Sequence, residues 1–131
     1  MVKKNSDASL LLWSEINLDR LRRNLKIIRS RLRVSSRSTS VEAEDGLVAS
    51  SLRDPGVGIL AIVKADAYGH GMKTVALTLA KEGVNFFGVA NIEEAMELRK
   101  ICQAARILVL GGFHQSQIPF FIRHRITPTL F

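Results

Sequence analysis

One stretch of the chain concentrates residues that could do chemistry: Ala61-Ile-Val-Lys64-Ala-Asp-Ala-Tyr68-Gly-His-Gly71. Ahead of the lysine, Gly58-Ile-Leu-Ala-Ile-Val63 carries aliphatic residues on consecutive positions. A strand buried on both faces of a parallel sheet reads this way. Lys64 therefore falls at a strand's carboxyl end, where the loops of α/β folds collect ligand chemistry. Flanked by Val63 and Ala65, its amine is in apolar company, and desolvation favours the neutral, nucleophilic form that condenses with a carbonyl to an imine. Gly69 and Gly71 allow a tight turn that brings backbone close to a ligand, and His70 between them is expected to bond to the loop backbone. Other candidates are weaker. Glu93 and Glu94 are adjacent, so on a helix they diverge and are expected to face solvent rather than act as paired carboxylates. Gly111-Gly112 ends an apolar run and could either leave room for a cofactor or form a simple turn. The single Cys102 excludes an internal disulfide and agrees with a reducing compartment.

These residues need elements to position them. Leu10 to Ile16 reads as a short strand, and Leu18, Leu21, Leu25, Ile28 and Leu32 recur at steps of three and four on one helical stripe. Asn17 or Asp19 can cap that helix. Val34 to Pro55 is rich in serine and acidic residues without periodicity, and a mobile loop is expected over 35–56. Beyond the lysine stretch, a helix is predicted over Met72 to Glu82 with Gly83 as its left-handed stop. A strand over Val84 to Ala90 follows, then a helix opened by Asn91 and Glu94 in a capping-box arrangement. Arg106 to Leu110 is the next strand. Ser116 is expected to cap a helix running through His124 with Pro119 in its first turn, and Ile126 opens a fourth strand. Such alternation fits successive βα units of a parallel sheet. Periodicity alone does not separate a barrel from a doubly wound sheet.

Bulk properties narrow the function classes. The chain has 131 residues, 47% of them hydrophobic, and a formal charge of +7. Much of the excess lies in Arg20, Arg22, Arg23, Lys26, Arg29, Arg31, Arg33 and Arg37, with no aromatic residues interleaved to stack on bases. That cluster reads as a solvated helix face; a basic nucleic-acid-binding module is the alternative from another class. No run approaches the roughly 18 apolar residues of a membrane span. Leu10-Leu-Leu-Trp13 is too short for a signal-peptide core, so a soluble, cytoplasmic protein is expected, with no nucleic-acid or membrane partner.

The stretch from Ala61 to Gly71 closely resembles the pyridoxal-phosphate signature of alanine racemases, an aliphatic run followed by Lys-Ala-Asn/Asp-Ala-Tyr-Gly-His-Gly. Phe87-Gly-Val-Ala90 before a glutamate-rich helix, and Asn24 on the first helix, are similar to the same family. The resemblance implies that residues 1–131 are the amino-terminal part of an α/β (β/α)8 TIM barrel, which takes about 250 residues when whole, with a carboxyl-terminal β domain beyond it. Val34 to Pro55 is longer than the family's usual crossing. The resemblance further implies that Lys64 binds the cofactor pyridoxal 5'-phosphate and serves as the base for the D-enantiomer, and that Tyr68 reaches the cofactor phosphate. No metal is implied. In that family the second base is a tyrosine from the partner subunit's β domain, and the arginine facing the pyridine nitrogen comes from a later strand. The whole enzyme is accordingly expected to be a homodimer interconverting L- and D-alanine for cell-wall precursors, and this chain alone to have negligible activity. Another enzyme of the same cofactor-lysine barrel group, or a single-domain cofactor carrier, is the alternative within the class.

Overall fold

Short aliphatic runs closed by glycine or polar residues become the strands. β1 (Leu60–Ile62), β2 (Phe86–Val89), β3 (Arg106–Val109) and β4 (Thr127–Pro128) form one sheet. Every neighbouring pair is parallel and the spatial order is the sequence order. The computed structural model describes residues 14–36 and 58–130. Most of the expected first strand and of the 35–56 loop lie outside those residues; Ser14 to Ile16 is not strand, and Ser35 and Ser36 close helix α1 (Leu18–Ser36).

Helices α3 (Met72–Lys81), α4 (Ile92–Ile101) and α5 (Ile118–His124) cross between strands, with α3 packed on α4 and α4 on α5. A doubly wound sheet reverses its strand order at a switch point. Among the described strands there is no reversal, and consecutive helices lie side by side. That winding is the opening of a (β/α)8 barrel, the choice that periodicity left open.

Side-chain alternation divides the sheet into two apolar faces. Phe87 and Val89 of β2, with Ile107 and Val109 of β3, are all but fully buried in a cluster with Ala76, Ala95 and Leu98 from the helices. On the opposite face Leu60, Ile62 and Leu110 close over Gly88, where an added Cβ would lie 2.6 Å from Ile62 Cδ1. No helix among the described residues is long and apolar enough to cross a membrane.

The helix ends follow the sequence in part. Asn17 Oδ1 accepts the backbone N–H groups of Asp19 at 3.1 Å and Arg20 at 3.0 Å, which makes Asn17 the cap of α1. α1 packs on α3, burying Leu25, and the Arg29 guanidinium donates to the Glu82 carbonyl. Ile28 departs from expectation: it is 51% exposed, because the stripe covered by α3 is narrower than the apolar one. Ser116 does not cap α5. The N-cap position of α5 is Gln117, which makes no side-chain cap bond. His114 instead caps the short 3-10 turn Gln115–Gln117 that leads into α5, its Nδ1 accepting the Ser116 N–H at 3.3 Å while Gln117 Oε1 accepts the His114 N–H at 2.9 Å.

Arg99 ties the amino side of the sheet together. Its guanidinium donates to four carbonyls, those of Gln103 at 2.8 Å, Ala105 at 2.6 Å, Arg125 at 2.9 Å and His124 at 3.1 Å. The C-terminal ends of α4 and α5 and the entry to β3 are thus held by one side chain. Burial first, and the charge of Arg125 second, pull Arg99 below the usual guanidinium value. Replacing it by alanine strands several carbonyls, so Arg99→Ala is expected to cost about 2 kcal/mol in urea unfolding. Arg99→Lys recovers only part, since an ammonium cannot reproduce the planar fork.

The buried Cys102 thiol at the end of α4 gives a second expectation. Burial pushes its pKa above the ordinary 9.0, opposed by the Arg99 charge. An acid whose folded value is raised contributes stability that is complete below the unfolded value and is lost as pH rises toward the folded one. The melting temperature should therefore fall above about pH 9 through this group, and Cys102→Ala should remove that component of the alkaline loss.

Candidate active site

The chain leaves β1 through Val63, whose N–H donates to the Gly88 carbonyl at 2.8 Å, and reaches Lys64 at the carboxyl edge of the sheet. Lys64 is half-buried: Val63 beside it is 1% exposed, whereas Ala65 faces solvent. Among the described residues no ion pair or hydrogen bond engages its amine.

The next residues adopt a shape that sequence reasoning did not foresee. Lys64–Tyr68 forms a single helical turn, α2, in which Ala65 (φ 51°), Asp66 (φ 53°), Ala67 (φ 55°) and Tyr68 (φ 56°) are all left-handed. Such backbone brings Cβ against the following carbonyl and costs roughly 1–2 kcal/mol per residue for L-amino acids. Composition lessens that cost only at Asp66, since aspartate tolerates this region better than most residues, while the two alanines avoid the further crowding of larger side chains. No β-branched residue falls in the turn. That small-residue run between lysine and glycine was the available signal.

Hydrogen bonds hold the turn. The Ala67 N–H donates to the Val63 carbonyl at 2.9 Å, the Gly69 N–H to Ala65 at 2.9 Å and the Gly71 N–H to Asp66 at 2.9 Å. Gly69 and Gly71, at φ 79° and 88°, continue the positive-φ path that only glycine takes freely. Asp66 Oδ1 accepts the Met72 N–H at 2.6 Å, supplying the first turn of α3 with a side-chain acceptor that its own N-cap residue, Gly71, cannot provide. His70 Nδ1 meets the carbonyls of Ala67 at 2.8 Å and Tyr68 at 3.1 Å. Since carbonyls only accept, Nδ1 carries the hydrogen, and His70 serves the loop backbone as the sequence implied. Tyr68 stands 59% exposed on the turn.

Two further residues converge on the same edge. Glu94 was expected to be solvent-exposed; only Glu93 is. Glu94 Oε1 accepts the Ala65 N–H at 2.8 Å and Oε2 accepts the Ala90 N–H at 2.8 Å, so one half-buried carboxylate bridges the exits of β1 and β2. Gly111 then presses the exit of β3 onto β2: its N–H donates to the Ala90 carbonyl at 3.0 Å, and an added Cβ would lie 2.6 Å from that oxygen. The sequence offered room for a cofactor or a simple turn for Gly111-Gly112; the structure gives Gly111 a different use, close packing of backbone on backbone.

A primary amine and a phenol at the carboxyl edge of sequentially wound parallel strands place this molecule in the class of barrel proteins with a strand-end lysine. Residues 47–131 match the family model for the alanine racemase, N-terminal domain, and the chain belongs to that family. The alanine racemase of Desulforamulus reducens is 32% identical over 120 residues, covering 92% of this chain and 27% of that protein. The solved alanine racemase of Clostridium difficile 630 superposes with a TM-score of 0.69 at 35% identity, covering 94% of this chain and 27% of the other. That of Bartonella henselae, solved with covalently bound pyridoxal phosphate, gives 0.50 at 34% identity over 54% of this chain and 20% of its own. The chain thus spans well under a third of each relative's length.

The bond from Asp66 to α3 needs a side-chain acceptor, which aspartate and asparagine both offer. Asp66→Ala is expected to lower unfolding stability by about 1 kcal/mol, and Asp66→Asn to restore most of it, measured as the shift in urea midpoint.

Proposed function

We propose that this chain is the cofactor-lysine portion of a pyridoxal-phosphate-dependent enzyme that interconverts L- and D-alanine, supplying D-alanine for cell-wall precursors in the cytoplasm. The observation that carries the reading is Lys64, an amine that no described residue engages, set just past β1 on a turn that leaves Tyr68 exposed at its other end. This donor set fits the cofactor: a primary amine can condense with an aldehyde, and a phenol can donate to a phosphate. Neither group is tied up by another described side chain.

Bound pyridoxal phosphate acidifies the α-carbon of an amino acid by drawing electrons into its ring, and the protein contributes orientation and proton transfer. Lys64 Nζ would hold the cofactor and would take or return the α-proton on one face. Tyr68 Oη would donate to the cofactor phosphate. The left-handed turn sets the spacing between those two contacts. Racemisation also needs a base on the opposite face. Tyr68, the sequence's single tyrosine, is committed to the phosphate, so that base comes from outside this chain. A homodimer whose partner subunit reaches into the site supplies it, and this chain by itself has negligible racemase activity.

The test uses the whole enzyme, incubated with L-alanine and assayed for D-alanine. Lys64→Ala should reduce turnover by about 10³-fold or more. Borohydride reduction of the cofactor-loaded enzyme followed by peptide mapping should place the label on Lys64; label on any other lysine overturns the assignment.

A further inference from the structure

The Glu94 carboxylate is diverted from the use its position predicts. In a capping box the third residue of the helix returns its side chain to the cap residue's own N–H. Asn91 does cap α4, accepting the Glu94 N–H at 2.9 Å, but the Glu94 carboxylate passes over Asn91. It takes the Ala90 N–H with one oxygen and, across the gap to the neighbouring strand, the Ala65 N–H with the other, both at 2.8 Å. Ala65 directly follows Lys64, and its N–H opens a helical turn, where N–H groups have no partner within the turn. The peptide plane joining Lys64 to Ala65 is therefore fixed from outside, by a charged acceptor whose two oxygens have constant separation. Charge-assisted bonds of this kind are among the stronger ones in proteins.

The backbone that this bond secures is the least favourable in the described chain, four consecutive left-handed residues. Such a turn persists only where its surroundings over-determine it. Bonds inside the turn run from Val63 to Gly71 and fix its pitch. The Glu94 bond to Ala65 anchors the first left-handed residue to α4 and, through the Ala90 N–H, to the exit of β2. The anchor is itself braced: the Ala90 carbonyl accepts from Gly111, so the exits of β1, β2 and β3 are joined in one line through Glu94.

We infer that Glu94 is a positioning residue for Lys64: its carboxylate fixes the left-handed turn relative to β2 and thereby aims the lysine amine at the cofactor. The inference rests on the reading of Lys64 given above. Glu94 touches neither substrate nor cofactor; it acts through the Lys64–Ala65 peptide.

The experiment compares the whole enzyme with its Glu94→Gln and Glu94→Ala variants, and with Glu93→Gln as a control at the exposed neighbour. In cofactor-free protein, amide exchange at Ala65 should accelerate about tenfold or more in Glu94→Ala, with exchange at Val89 and Ile107 unchanged as the sign that the fold is intact. Added pyridoxal phosphate should be captured at Lys64, read by borohydride trapping and peptide mapping, about tenfold more slowly in the same variant. Glu94→Gln keeps the shape but only one acceptor oxygen, so it should fall between, and it stands in should Glu94→Ala fail to fold. Glu93→Gln should match the unsubstituted enzyme. Capture at Lys64 by Glu94→Gln at the unsubstituted rate, in a folded protein, overturns this inference alone. Absence of label at Lys64 in the unsubstituted enzyme overturns the reading of the site and this inference with it.

Discussion

Four residues in a row, Ala65 to Tyr68, hold a backbone shape that L-amino acids avoid, and the arrangement of the site depends on their being kept there. The left-handed turn folds the chain back sharply, so that Tyr68, Gly69 and Gly71 follow within a few residues and α3 can begin at once. Its unfavourable conformation is offset by bonds drawn from three sources: the turn's own carbonyls, the Asp66 side chain on α3, and the Glu94 carboxylate on α4. Strain of this sort gathers where a site must be held ready before its ligand arrives.

The sheet makes such an arrangement affordable. Phe87, Val89, Ile107 and Val109 lock β2 and β3 to the helices with almost no exposure, and parallel pairing puts every strand's carboxyl end on the same edge. Arg99 secures the far edge by gathering four carbonyls. One edge is thus stitched for rigidity, while the other carries the lysine. A division of labour between the two ends of the strands is the general habit of barrels.

Part of the basic charge of α1 serves packing within the fold. Arg22 lies 2.6 Å from Asp19 and 3.6 Å from Glu82, and Arg29 donates to the Glu82 carbonyl, so part of the basic face of α1 is directed at α3. Those contacts are partly exposed and contribute modestly. Their effect is to fix where α1 rests on the barrel's outer layer.

Much of the fold and of the site was legible from residue order. Consecutive aliphatics marked β1 and β3, Asn91 marked the start of α4, and Gly69 and Gly71 marked the tight turn after Lys64, because side-chain period, capping groups and glycine freedom are local properties. Ile28 and the cap of α5 were misread for the complementary reason. How much of a helical stripe is covered depends on the width of the neighbour, and the chain enters α5 from a 3-10 turn that carries its own cap, His114, so that α5 begins without a side-chain cap. Glu94 was the most instructive miss. Its spacing from Asn91 located it on the helix, but the N–H groups it serves lie on residues 65 and 90, one of them a full βα unit earlier in the chain. Sequence by itself determined which residues could react and which segments could be strand or helix, since these follow from side-chain chemistry and short-range periodicity. Tertiary structure alone decided the strand order, the hand of the turn after Lys64 and the partner of its backbone, since each is settled by groups distant along the chain that only packing brings together.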